Sequence, residues 1–508
     1  MTIQIGGSLS AGDVVAAAKG EPVELAPGAL ERMTTARGVV ERKLAAGATV
    51  YGVTTGFGAL ANVHLTSEQA RELQHGLLRS HAVAVGEPLS AAEVRAMLVL
   101  RAHVLALGHS GVRPVLVDRL LQFLERGLLP IVPQQGSLGA SGDLAPLAHL
   151  ALPLIGEGEV SYDGERMSAA DALARMGLEP LQLEAKDGLA LINGTQAMLA
   201  VGLLASDRTR VLAKAADIAA AMTVEGILGT DRAFDDRLQK LRPHPGQAAS
   251  AANLRRLLHG SEIVASHRES EHLVQDAYSL RCAPQVHGAL RDVRDFSEGV
   301  LEREIGSITD NPIVLPEDDE IVSGGNFHGQ PVAIAMDALA AALVPAASIS
   351  ERRLYRLLDA NTNNGLPPFL VPSSGLNSGY MLVQYTAASL VSECKTLAHP
   401  ASVDSIPSSA GQEDHVSMGV TAARHARDIV TNAEVVIALE ALAAAQALDL
   451  RAPLRPAEGT GAAHEVVRAV VPILSHDRAL KPDVDAAVEL VRSGRLVEAV
   501  EASIGPLA

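Results

Sequence analysis

Residues 332–359 read VAIAMDALAAALVPAASISERRLYRLLD. Alanine and leucine fill this run, and both are strong helix formers. The charges gather at its end, and one proline, Pro345, interrupts it. A proline inside a helix removes a hydrogen bond and crowds the preceding turn, so Pro345 is expected to kink the helix or mark a boundary. Outward from this run, 195–223, 379–398 and 412–450 have the same Ala/Leu-rich helical character. Few stretches show the β-branched alternation of strands. The fold class expected is mainly α, with long helices packed side by side. Before residue 190 the pattern changes. Shorter helices at 66–80, 90–108 and 114–127 are separated by loops rich in Gly and Pro. The expected division is a loop-bearing N-terminal domain, 1–200, and a helical-bundle domain, 201–508.

The bulk composition narrows the function. The chain has 508 residues, 48% hydrophobic and 20% charged, which is the balance of a globular protein with ample core. Aromatic residues make up only 2%, so Leu, Ala and Val must build that core. The net charge of −17, with no basic run, argues against nucleic acid or an anionic membrane as partner. A substrate carboxylate would therefore need a local cation. Cys282 and Cys394 form no CxxC pair, so neither a disulfide framework nor a zinc ribbon is expected, and a reducing cytoplasm is the simplest compartment. The opening MTIQIGGSLS lacks the pattern of a signal peptide. Residues 188–206 carry no charge, but Asn193, Thr195 and Gln196 favour a buried helix behind a polar loop over a membrane span.

The chemistry concentrates in Gly136-Ser-Leu-Gly-Ala-Ser-Gly-Asp143. Glycines allow backbone shapes that other residues resist. If the amide nitrogen of Gly142 closes on the carbonyl carbon of Ala140, loss of water gives a five-membered imidazolone. Loss of the Ser141 hydroxyl then leaves an exocyclic methylene, an electron-poor alkene that no ordinary side chain supplies. A serine-hydrolase elbow is ruled out because Asp143 stands where G-x-S-x-G needs its last glycine. Neither GxxxxGK[ST] nor GxGxxG is present here, so this is no phosphate loop.

The stretch GSLGASGDLAPLAH resembles the signature of the ammonia-lyase family that carries 4-methylideneimidazol-5-one, or MIO. The resemblance continues through YGVTTGFG (51–58), ALINGTQA (190–197), VQDAYSLRCAPQVHGA (274–289) and SITDNPIV (307–314). It extends to SGGNFHGQPVA (323–333), SERRLYRLL (350–358) and LAHPASVDSIPSSAGQEDHVSMG (397–419). It implies the fold of the fumarase and aspartase superfamily. It also implies a homotetramer with shared active sites, and an MIO formed from Ala140, Ser141 and Gly142 with no dissociable cofactor and no metal.

The reaction must expel an amine and remove a weakly acidic β-proton. The resemblance makes Tyr51 the base, Asn193 a donor to the MIO carbonyl, Tyr278 a second phenol and Phe327 a ring packed beside the MIO. Gln275, Tyr278 and Arg281 stand at i, i+3 and i+6, one side of a helix if a helix spans them. Arg281 suits a carboxylate, which a guanidinium can grip through two hydrogen bonds. Asn311 is similar to a family residue near the amine or carboxylate, while Asn326 and His328 are expected to shape the loop around Phe327.

Substrate choice rests on Ser80-His81. Histidine-specific members are similar here, and an imidazole ring needs partners for both nitrogens. Glu413 is the second selective residue, an acceptor for an imidazole N–H. The expected substrate is L-histidine, giving trans-urocanate and ammonia. A tyrosine or phenylalanine ammonia-lyase or aminomutase is the alternative, and an inactive helical scaffold a more distant one. Gly411 and Gln330 depart from residues common in the family, Asn and Glu. The group His267, Glu269, Glu271 and His272 lacks the HExxH pattern and is expected to be solvated rather than metal-binding.

Overall fold

The computed structural model describes residues 2–56, 65–270 and 274–508. Glu271, His272 and the end of the 51–58 motif lie outside them. Helix accounts for 60% of the chain and strand for 7%, so the architecture is mainly α. Two compact units emerge. The first comprises 1–204, 297–337 and 400–424, and the second 205–296, 338–399 and 425–508.

In the first unit, local signals set the helix starts. Ser10, Thr66 and Ser90 each close a capping box with the residue three positions on, satisfying N–H groups that a helix leaves free at its start. Pro114 opens helix Pro114–Arg126, and Gly127, in the left-handed region, ends it. Helix Ala91–Ala106 is the centre of this unit and is buried on nearly every side. Helices Ala11–Ala18 and Pro114–Arg126 pack against it. Short sheets trim the unit. Ile3–Ile5 pairs in parallel with Val23–Leu25, and Leu129–Pro130, Glu159–Tyr162 and Glu165–Ser168 form an antiparallel trio. Strand Pro133–Gln135 pairs antiparallel with Val85–Pro88 and delivers the chain directly into the loop at Gly136.

The second unit consists of helices, among them Pro245–Leu257, Met381–Leu397, Glu458–Arg468 and Arg495–Ile504. The last two pack on one another, with Gly459 beside Ile504. Four helices, Gln196–Gly226, Ala283–Ile305, Gln330–Leu358 and Gly419–Leu450, contribute residues to both units.

Three expectations are revised. Pro345 neither ends nor divides its helix, which runs unbroken from Gln330 to Leu358. One lost hydrogen bond is tolerated where neighbours such as Leu339, Ala346 and Ala347 are wholly buried, because tertiary packing supplies most of a helix's stability. This helix is long and apolar enough to span a membrane by length and composition, yet 56% of its apolar window is buried inside the protein. The helix expected from 412 starts at Gly419, because Ser417 and Met418 instead bond to the loop at 138–139. Gln275, Tyr278 and Arg281 do not share one helix. A single turn covers Tyr278–Arg281, and Asp276 just before it accepts the backbone N–H of Thr230, which draws the chain out of helical geometry.

Candidate active site

The loop from Gly136 to Asp143 is bent by three glycines with positive φ: Gly136, Gly139 and Gly142. At Gly142 (φ +74°) a Cβ would lie 2.1 Å from the carbonyl oxygen of Gly194, so only glycine fits. Gly142 forms a β-bridge with Gly194, and the Asp143 N–H donates to Gly194 O at 2.7 Å. The Asp143 carboxylate then accepts the N–H groups of Ala197 and Met198 (2.9 and 2.8 Å) and the Ser137 hydroxyl (2.9 Å). The two N–H groups belong to the first turn of the helix beginning at Gln196, where unpaired donors favour a carboxylate. Burial pushes the Asp143 carboxyl up to about 7 against these donors. From the other side, Met418 N–H donates to Leu138 O at 2.8 Å and Ser417 Oγ to Gly139 O at 3.2 Å. Ala140 packs against Val416 and Met418.

This clamped loop presents Ser141 to a cavity of about 590 Å³. Tyr51, His81, Asn193, Asn311 and Glu413 line it with Ser141, and Leu73, Leu77, Leu144, Leu189 and Ile192 give it apolar walls. Ser141, Tyr51, Asn311 and Glu413 also border a neighbouring cavity with Ala140, Phe327 and His328. The sequence-derived residues of the first unit therefore meet around one serine.

Each has a definite setting. Ser141 Oγ donates to Glu413 Oε1 at 3.1 Å, and Ser408 Oγ donates to Glu413 Oε2 at 2.7 Å. Glu413 is turned inward by a short bridge to Ser408, across a turn in which Ser409 and Ala410 have positive φ. His81 ends its helix with Nδ1 2.9 Å from Leu77 O. Burial lowers its pKa, while the Leu77 carbonyl and the Glu413 charge oppose that shift. The ring is thus neutral, with its proton on Nδ1 toward Leu77 and Nε2 left as an acceptor. Asn193 follows helix Asp187–Ile192 and is 2% exposed. Its Nδ2 donates to Asn311 O at 2.9 Å, and its Oδ1 is buried with no partner among the described residues. His328 Nε2 lies 3.1 Å from His415 O, tying the loop of Phe327 to that of Glu413, and Asn326 Nδ2 donates to Ile308 O at 3.2 Å.

Gln275, Tyr278 and Arg281 belong to the second unit and border neither cavity. Gln275 lines a separate cavity with Thr230, His267 and Asp276. Tyr278 is 71% exposed, and the Arg281 guanidinium sits 4.4 Å above its ring. Arg281 Nε is buried without a partner among the described residues. No group of three His, Cys, Asp or Glu side chains is placed to hold a metal among the described residues.

Sequence reasoning passed over Asp143, Arg101, Lys186 and Asp310. Arg101 Nη1 reaches Asn193 O at 3.0 Å and Gln196 Oε1 at 2.7 Å. Lys186 pairs with Asp310 behind the two asparagines. Asp143 lies in GSLGASGD and Asp310 in SITDNP, but a charge in a motif does not reveal what it faces. The charges at 186–187, on the edge of an uncharged run, were the one available hint.

A glycine-bent, doubly clamped tripeptide below a cavity with acidic, phenolic and amide groups matches a known lineage. The family model for aromatic amino acid lyases matches residues 9–469, and the chain belongs to that family. It is accordingly a carbon–nitrogen lyase. It is 55% identical over 506 residues to histidine ammonia-lyase of Symbiobacterium thermophilum, covering 99% of each chain. The corresponding enzyme of Gloeobacter violaceus is 55% identical over 503 residues, covering 99% of this chain and 98% of the relative. Among solved structures, histidine ammonia-lyase from Trypanosoma cruzi superposes with a TM-score of 0.92 at 42% identity, covering 99% and 96% of the two chains. Tyrosine aminomutase from Streptomyces globisporus superposes with 0.94 at 37% identity, covering 100% of both.

Proposed function

We propose that this chain is a histidine ammonia-lyase, converting L-histidine to trans-urocanate and ammonia. The observation that carries this reading is the meeting of Ser141 with Tyr51, His81, Asn193 and Glu413 around one cavity. The residues fit an MIO formed from Ala140, Ser141 and Gly142. A Cβ at Gly142 would meet the Gly194 backbone, so the nitrogen that must close on Ala140 lies in a cradle that only glycine fits. When formed, the MIO supplies an electrophile for the substrate amine.

The chain's own groups do the rest. Tyr51 takes the β-proton at its phenolic oxygen. His81 Nε2, left as an acceptor by the Leu77 contact, receives one imidazole N–H. Loss of the Ser141 hydroxyl on cyclisation frees Glu413 Oε1 to receive the other. Two acceptors favour the imidazolium form, which acidifies the neighbouring β-carbon. Asn193 Nδ2 is directed to Asn311 O and Asp310 Oδ1, so Asn193 serves by holding Asn311 at the cavity wall rather than by donating to the MIO carbonyl. Gln275, Tyr278 and Arg281 come to the site from another copy, in a homotetramer with shared sites. Arg281 there pairs with the substrate carboxylate. A cytoplasmic location accords with the free thiols of Cys282 and Cys394.

Intact mass and product assays test this reading together. The purified chain should weigh two water molecules less than its formula, and Ser141→Ala should abolish urocanate formation. Faster release of coumarate or cinnamate than of urocanate would favour a tyrosine or phenylalanine enzyme instead.

A further inference from the structure

Behind the asparagines of the cavity lies an ion pair that the proposed chemistry leaves unused. Lys186 Nζ donates to Asp310 Oδ2 at 2.7 Å, and both side chains are 0% exposed. A buried ion pair is a weak source of stability, because desolvating two charges can exceed their attraction. Lys186 bears a second cost. Its φ is +76°, in the left-handed region, where a side chain crowds the backbone. It occupies this conformation at the start of helix Asp187–Ile192, the helix that ends at Asn193.

The other carboxylate oxygen shows what the pair holds. Asp310 Oδ1 accepts the backbone N–H of Asn311 at 2.7 Å and lies 3.4 Å from Asn193 Nδ2. Asn193 Nδ2 also donates to Asn311 O at 2.9 Å, and Asn311 Oδ1 accepts the Gly324 N–H at 2.9 Å. The amide of Asn193 cannot be reversed here, since its oxygen would then face a carboxylate and a carbonyl. Both asparagines border the cavity at Ser141.

We propose that Lys186 and Asp310 are a positioning pair: Lys186 fixes the Asp310 carboxylate, which orients the Asn193 amide and the Asn311 backbone beside Ser141. Neither residue touches substrate. This inference rests on the reading of the site as an ammonia-lyase centre.

The test compares Lys186→Met, Asp310→Asn and the double variant Lys186→Met/Asp310→Asn, with Tm, intact mass, kcat and KM for L-histidine measured for each. Counting kcat per dehydrated chain separates turnover from cyclisation. Lys186→Met alone leaves a buried carboxylate unpaired and should lower Tm. The double variant removes both charges at nearly constant volume and should fold. Its kcat should fall at least about 10-fold with KM within about 3-fold, matching the loss of about 1.4 kcal/mol of transition-state stabilisation. In an Asn193→Ala background the same double substitution should cost kcat less than about 3-fold, because the route runs through Asn193. A double variant with parental kcat, a loss confined to KM, or an undiminished loss in the Asn193→Ala background overturns the proposal. A parent protein that makes no urocanate overturns the functional reading instead.

Discussion

At the scale of single residues, hydrogen-bond direction sets which acceptors the cavity presents. His81 is the last residue of its helix, and the Leu77 carbonyl one turn back claims Nδ1. That contact turns an ambivalent ring into an acceptor at Nε2. Glu413 is a second acceptor, anchored by Ser408. His81→Leu should lower kcat/KM for L-histidine about 10- to 100-fold, the usual scale for losing one partner of a charged group. The loss for a phenyl substrate should be small or reversed, and paired kinetics on L-histidine and L-phenylalanine check this. Equal losses on both substrates would remove His81 from substrate selection. The identities of Ser80-His81 and Glu413 were legible in the sequence. The Leu77 contact was not, because the accepting group is a backbone carbonyl that any residue type provides.

At the scale of elements, the buried helix Ala91–Ala106 fastens the N-terminal strand. His103 is 0% exposed, and its Nδ1 accepts the Gly6 N–H at 3.1 Å. Burial lowers its pKa to about 4 from the ordinary 6.5. The folded chain therefore keeps this ring neutral, while the unfolded chain protonates it below about 6.5. The unfolded state then binds the extra proton, so stability is complete above that pH. It is lost progressively as pH falls toward 4, by up to about 3 kcal/mol from this group. His103→Asn keeps an acceptor for Gly6 but does not titrate. Thermal unfolding from pH 7 to 4.5 should show a shallower decline for this variant than for the parent. Identical declines would remove His103 from the pH dependence. Helix positions such as Ser67–His81 and Pro114–Arg126 were readable from caps and apolar spacing. The one-turn helix Tyr278–Arg281 was not, because the carboxylate that unwinds its approach acts through a backbone 46 residues distant in sequence.

Across the whole molecule, low aromatic content leaves helices rich in Ala and Leu, and buried polar groups hold them in register. In the second unit Arg353 grips Glu440 through Nε and Nη2 at 2.5 and 2.8 Å. Thr223 and Ser350 donate to the same carboxylate, and Arg353 and Glu440 are 0% exposed. His287 and Arg291 similarly surround Asp217. Removing one member of such a pair strands the other charge. Arg353→Met should therefore destabilise the protein by about 3–5 kcal/mol in denaturant titrations. A change below about 1 kcal/mol would show that the unit is held by apolar packing alone.

The order of residues by itself determined the helical class, through Ala/Leu periodicity, and the sharply bent Ala140-Ser141-Gly142 loop, through the glycines that let it bend. Both are local properties, set by propensity and by the backbone freedom of neighbours a few positions apart. Only the tertiary structure decided that Glu413, 272 residues beyond Ser141, accepts its hydroxyl, and that Lys186 reaches Asp310 across 124 residues. Such pairings depend on which surfaces are brought together when apolar area is buried, and chain order carries no local mark of them.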